Sequence, residues 1–150
     1  MKKIFKISYA ILVCLTLVMT GCSDSDYDSS GIANTKLSGK ISGTSFSAKG
    51  GQSFTAGDGN IYVHITNISA DCNSDVLNYE FDVSALIKPE LGIYTDVFVA
   101  LTKKGNTPVN ILGTVEVVKF LNNELTVKIK ANSSVDNYVE GFFTVPFCEQ

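Results

Sequence analysis

The groups able to do chemistry in these 150 residues are few: four cysteines, one histidine and scattered carboxylates. A catalytic triad or a zinc site needs histidine with convergent partners. His64 alternates with Tyr62 and Thr66 on the more polar side of a short β-type run, and it reads as a partly exposed strand histidine. Glu80 and Asp82 stand two residues apart on one strand face, about 7 Å between Cα atoms. Paired carboxylates at such spacing hydrolyse glycosides, but in a cleft with stacking aromatics. The chain has no tryptophan, so outward acids on a solvated sheet are the expected reading. Asp58-Gly59-Asn60 opens like a calcium loop, yet the position where an EF-hand places its bidentate glutamate is Ser69, so a plain turn is expected. Asp71, Asn73 and Asp75 form a denser oxygen cluster beside Cys72, with weak calcium binding as the alternative to a solvated loop. There is no G-x-S-x-G elbow and no phosphate-cradling glycine loop. The expectation is therefore no catalytic residue, no metal ligand and no cofactor.

Composition narrows the class further. The chain holds twelve lysines and no arginine, with a formal charge of −3. Without the arginine fork for phosphates and bases, a nucleic-acid partner is not expected. An apolar share of 45% suffices for one packed domain. Lys103, Lys104, Lys128 and Lys130 could form a small basic patch on neighbouring strands, or protect the sheet against aggregation. Tyr62, Tyr79, Tyr94 and Tyr138 offer polar-tipped rings to a ligand or to the rim of the core.

The elements that must position these groups are strands. From Lys36 onward the dominant signal is alternation with period two. Leu125, Val127, Ile129 and Ala131 share one face, opposite Thr126, Lys128 and Lys130. Leu77–Val83 repeats the scheme with Asn78, Glu80 and Asp82 outward, and Ile61–Thr66 does so more weakly. Gly92–Leu101 and Val109–Phe120 are apolar on nearly both faces, as in strands that are central or lie between two layers. Val139–Cys148 closes the chain, with Pro146 placing that end at an edge or bulge. Turn residues fall between the runs: Ser42-Gly43-Thr44, Asp58-Gly59-Asn60, Lys103–Asn106 and Asn122-Asn123. Ser84–Ile87 is the one stretch that could form a helical turn, stopped by Pro89. About eight short strands argue for an all-β fold, an antiparallel β-sandwich or barrel.

The N-terminal region has a different logic. Lys2, Lys3 and Lys6 precede thirteen uncharged residues, Ile7 to Met19. A helix of that length spans about 20 Å, too short for a hydrocarbon core, and the pattern is that of a secretory signal peptide. Met19-Thr20-Gly21-Cys22 resembles the lipobox of bacterial lipoproteins, with Met19 where the family prefers leucine. The resemblance implies cleavage after residue 21, diacylglycerol on the Cys22 thiol and an acylated amino terminus. It divides the chain into a signal peptide 1–21, a lipidated cysteine with a flexible acidic tether 22–35, and a single β domain 36–150. Cys14 lies in the removed part. Removal of three lysines leaves nine positive and fifteen negative groups, a net charge of −6. Lipid, not electrostatics, must then hold the protein on an anionic membrane.

Ser23-Asp24-Ser25-Asp26-Tyr27-Asp28 is similar to the surface-export run of Bacteroidota lipoproteins, which implies an outer-membrane, cell-surface location, with a periplasm-facing spacer as the alternative. A tether from Ser23 to Thr35 has a root-mean-square reach of about 20 Å. After export, Cys72 and Cys148 meet an oxidising compartment with no competing thiol once Cys22 carries lipid. A disulfide is expected, pinning the last strand to the loop after Ile61–Ile68. Two metal-binding thiols would lack further ligands.

The order of short motifs also resembles that of small all-β bacterial lipoproteins of uncharacterised function. Ile41-Ser42-Gly43-Thr44-Ser45-Phe46-Ser47-Ala48, Gly92-Ile93-Tyr94, Gly113–Val117 and Gly141-Phe142-Phe143 carry the likeness. It implies a shared β fold and no known activity. The function expected is a non-catalytic binding or structural module held at the membrane by lipid, with an extracellular ligand or protein partner not identified. The alternative is a surface-anchored inhibitor or immunity protein against a specific toxin or hydrolase, since an acidic surface steers toward basic partners.

Overall fold

A computed structural model describes residues 30–75 and 77–148. The signal peptide, Cys22 and the acidic run lie outside the described residues. Nine strands follow in order: β1 (Ser38–Ile41), β2 (Thr44–Ser47), β3 (Gly50–Thr55), β4 (Ile61–Thr66), β5 (Phe81–Ile87), β6 (Gly92–Lys103), β7 (Val109–Leu121), β8 (Glu124–Ser134) and β9 (Asn137–Pro146). They form one antiparallel sheet in the order β2-β1-β9-β8-β7-β6-β5-β4-β3. The sheet curls into a half-barrel, the barrel-like form of the two expected from sequence.

Alternation explains the curl. Ile61, Val63 and Ile65 on β4, Val83 and Ala85 on β5, Val99 and Leu101 on β6, Val115 and Val117 on β7, and Leu125, Val127 and Ile129 on β8 all point to one side. They make a single buried cluster. With no second layer among the described residues, the sheet must fold that side onto itself. Tight turns set the register. Ser42-Gly43 and Asn122-Asn123 both take positive φ at their two central positions, which matches the twist of a two-residue hairpin.

Two sequence expectations are corrected here. Leu77–Glu80 is not strand: Asn67 Oδ1 accepts the Phe81 amide, and β5 begins at Phe81. Ser84–Ile87, expected as a helical turn, is the second half of β5, where Val83, Ala85 and Ile87 face the core. Burial overrides a weak local preference. β3 is the strand that sequence reading missed; Gly50, Gly51, Gln52 and Ser53 carry no apolar alternation.

The seam of the curl lies between β3 and the end of β9. The Cys148 amide donates to the Ser53 carbonyl at 2.7 Å, and Ser53 Oγ donates to the Pro146 carbonyl at 3.0 Å. A side chain at Gly51 would strike the His64 carbonyl oxygen and Val145, so only glycine admits this approach. The Cys72–Cys148 disulfide lies at the same seam, with Cα atoms 5.3 Å apart.

The chain ahead of β1 is also part of the packed body. Residues 30–35, expected within the flexible tether, instead run as a strap across the outer side of β7, β8 and β9. Ser30 Oγ donates to Glu116, the Ala33 amide to Glu140 Oε1 at 3.1 Å, and Lys130 Nζ reaches the Gly31 carbonyl at 3.5 Å. The Phe142 amide donates to the Thr35 carbonyl, and the Leu37 amide to the Phe142 carbonyl. Ile32 is fully buried there, although it is not part of the main cluster. Gly141, at φ +130°, is required because a side chain would collide with Thr35 and Leu37.

The seam and the strap each generate a test. Changing both Cys72 and Cys148 to serine opens a loop of 76 residues' separation and should lower stability by about 2–4 kcal/mol in urea unfolding.

The Lys130 ammonium, with the Ala33 amide behind it, holds the Glu140 carboxyl below its ordinary value. A carboxyl depressed in the folded state stabilises it above the unfolded pKa and loses that contribution as pH falls through the folded one. Protection of the Ala33 amide from hydrogen exchange, corrected for intrinsic rate, should therefore hold steady from neutral pH to the ordinary glutamate range and drop below it. Glu140→Gln should abolish the pH step; an unchanged profile in that variant would rule out the assignment.

Candidate functional site

On β3 to β6 and the first part of β7, ahead of Glu116, the strap of residues 30–35 does not reach the outer side of the sheet. Its side chains fall in rows perpendicular to the strands, because antiparallel pairing places partners side by side. One row is Phe54, Tyr62, Leu86, Phe98 and Leu112. Phe54 pairs with Tyr62, Tyr62 with Leu86, and Phe98 with Leu112, while Leu86 and Phe98 sit one step beyond the Ala85–Val99 pair. The next row is Gln52, His64, Ser84, Ala100 and Asn110. Among these ten positions there is no lysine, aspartate or glutamate.

Exposure in the apolar row is greatest on β6 and β7. Tyr62 and Leu86 are 42% and 38% exposed, Phe98 and Leu112 68% and 56%. These are large apolar groups in mid-strand on a solvent face, where polar residues are the norm. Tyr62, His64, Ser84, Leu86, Phe98 and Ala100 border one shallow depression.

The third row explains how His64 is held. Thr66, Asp82 and Thr102 are buried even though they face outward. Thr66 Oγ1 donates to the Ile68 carbonyl in the loop after β4. Asp82 is only 4% exposed, and both its oxygens lie 3.3–3.4 Å from His64 Nδ1. The ring stacks on Phe54, with centroids 5.8 Å apart and 14° between planes, and Tyr62 flanks it at 6.4 Å. A carboxylate on Nδ1 orients imidazoles in many hydrolases. Ser84 is the strand partner of His64, but among the described residues no hydrogen bond joins its hydroxyl to the ring. What the geometry provides is a fixed polar edge beside an apolar row.

The other sequence candidates disperse. Glu80 lies ahead of β5, exposed, and accepts Asn67 Nδ2, so it forms no pair with buried Asp82. Asp71 accepts the Asn73 amide and the Ser74 hydroxyl, and Asp75 accepts the Leu77 amide; these are local turns that use the oxygens a cation would need. Asp58 does the same with Asn60, whose amide hydrogen bond lowers its pKa. Among the described residues no group of three or more histidines, cysteines or acids could hold a metal ion.

The lysines form no patch: Lys128 and Lys130 pair with Glu116 and Glu140 on β7 and β9, while Lys103 lies over the Phe81 ring. Tyr94 donates to the Glu90 carbonyl, and only Tyr62 of the four tyrosines stands in the apolar row. Cys72 and Cys148 are joined as expected. Phe54, Leu86, Phe98 and Leu112 were not singled out from sequence. Their signal was the apolarity of β6 and β7 on both faces, which equally describes a covered central strand.

No protein-family model matches this chain, and no curated protein or solved structure matches it either.

Replacing His64 by phenylalanine should cost about 1–3 kcal/mol in urea unfolding, because the Asp82 carboxylate stays buried without its partner. The double change His64→Phe, Asp82→Leu should recover most of that loss. Equal costs for the single and double variants would show that ring packing, not the carboxylate pair, sets the energy.

Proposed function

We propose that the protein is an outer-membrane lipoprotein, anchored through acylated Cys22 and displayed at the cell surface. Its β domain serves as a non-catalytic binding module that works through the outer face of β3 to β7. The observation that carries the binding half is the exposed apolar row, which together with the row beside it holds no lysine, aspartate or glutamate. A module that needed only to fill space would place polar groups there, as it does at Thr126 and Thr144 on β8 and β9. The anchoring half rests on Met19-Thr20-Gly21-Cys22 and the basic, apolar segment before it. The inhibitor or immunity reading draws on the acidity of the chain, and it would use a different surface, since this face offers a basic partner no fixed charge.

Intact-mass analysis of the protein from its native envelope tests the anchor. The expected product begins at Cys22, carries two or three acyl chains and contains the Cys72–Cys148 bridge; Cys22→Ala should leave an uncleaved or soluble form. A full-length, unacylated protein with free thiols would reject the assignment. Protease shaving of whole cells should remove the domain if it faces the medium and leave it intact if it faces the periplasm.

A further inference from the structure

We infer that the occupant of the apolar row is the lipid surface itself: the domain lies against its own membrane through Leu86, Phe98 and Leu112. The inference rests on the proposed anchor at Cys22 and names the partner of the face described above.

The first argument is where the described residues begin. Ser30, the first of them, is hydrogen-bonded to Glu116 on the outer side of β7. Leu112 is on the same side of the same strand, four residues away, or about 13 Å. Ile93, the strand partner of Glu116, is itself 40% exposed. The two most exposed members of the row, Phe98 and Leu112, are thus on β6 and β7, the strands of Ile93 and of Glu116, to which Ser30 is bonded.

The second argument is length. Only Ser23 to Ser29, seven residues, separate Cys22 from Ser30. Fully extended, a stretch of that length reaches at most about 28 Å. With residues 30–35 bound to the sheet, the acyl chains are kept within reach of the β6–β7 outer face. Short flexible linkage raises the effective concentration of a weak second contact to the order of millimolar, so a small apolar patch suffices.

The third argument is size and chemistry. Five side chains on adjacent strands make a row about 19 Å long and one residue wide. A stable protein interface needs about 800 Å² on each partner, several times what such a row offers. Phenylalanine and leucine entering the headgroup–acyl boundary, with a tyrosine at the margin, is the composition of an interfacial contact. The buried Asp82, matched by His64, keeps a carboxylate from opposing that contact.

The chain has no tryptophan, so Phe98→Trp creates a single indole reporter at a site open enough to accept it. The acylated variant would be reconstituted into phosphatidylethanolamine–phosphatidylglycerol vesicles containing lipid with a nitroxide near the headgroup. At least twofold quenching of the indole fluorescence is expected, with a blue-shifted emission. Val135→Trp, at the exposed turn between β8 and β9 and outside the row, should remain unquenched.

If the Phe98→Trp protein floats with the vesicles but its emission stays solvent-like, this inference fails while the anchor stands. If the protein is not acylated, both fail. Shielding of the same indole without lipid, in a chain that also carries Cys22→Ala, and rising with protein concentration, would assign the row to a second copy and overturn the inference. Leu112→Asp in the Phe98→Trp background should lower the quenching, and an unchanged signal would count against the row as the contact.

Discussion

A single sheet with one apolar side can exclude water from that side only by meeting itself, and here it does so at the seam between β3 and the tail of β9. Ser53 supplies both the carbonyl that takes the Cys148 amide and the hydroxyl that caps Pro146. Gly51 removes the side chain that would hold the two elements apart. The disulfide then ties the tail to the loop after β4 at the same place.

The outer side is divided by what covers it. Over β7 to β9 the strap of residues 30–35 lies on paired charges, Lys130 with Glu140 and Lys128 with Glu116. Over β3 to β7 the strap does not reach the first two rows, and their chemistry changes from charged to uncharged, with the Cys148 sulfur against Gln52 at one end of the second row. β7 belongs to both regions: Glu116 receives the strap and Leu112 ends the row.

Much of the fold was legible because strand alternation is a local signal. The core positions of β4, β8 and β9 and the hairpin turns at Asn122-Asn123 and Ser42-Gly43 follow from residue types alone. The disulfide followed from the count of thiols left to pair if the chain is processed at Cys22 and exported, as the sequence leads one to expect. β5 was misplaced by four residues because Leu77–Val83 and Phe81–Ile87 both alternate, and only packing against β4 and β6 chooses between them. β3 was missed because a strand buried at a seam needs small residues, Gly50, Gly51 and Ser53, which locally resemble a loop. The exposed row was visible as apolarity on both sides of β6 and β7. Whether a second side of that kind is covered depends on residues far away in the chain, and no local pattern carries that information.

By itself the sequence determined the all-β class, the inward face of most strands, the turn positions and the pairing of Cys72 with Cys148. These depend on the period of side chains along a strand, on backbone preferences at single residues and on how many thiols remain to pair. Tertiary structure alone decided that the sheet curls instead of splitting into two layers, that Ile32 and its neighbours belong to the body, that Asp82 is buried against His64, and that Phe98 and Leu112 face outward uncovered. Each of those outcomes is a contact, or the lack of one among the described residues, between segments tens of residues apart. Its energy comes from the area that distant surfaces remove from water together, a quantity that does not exist until the chain has closed.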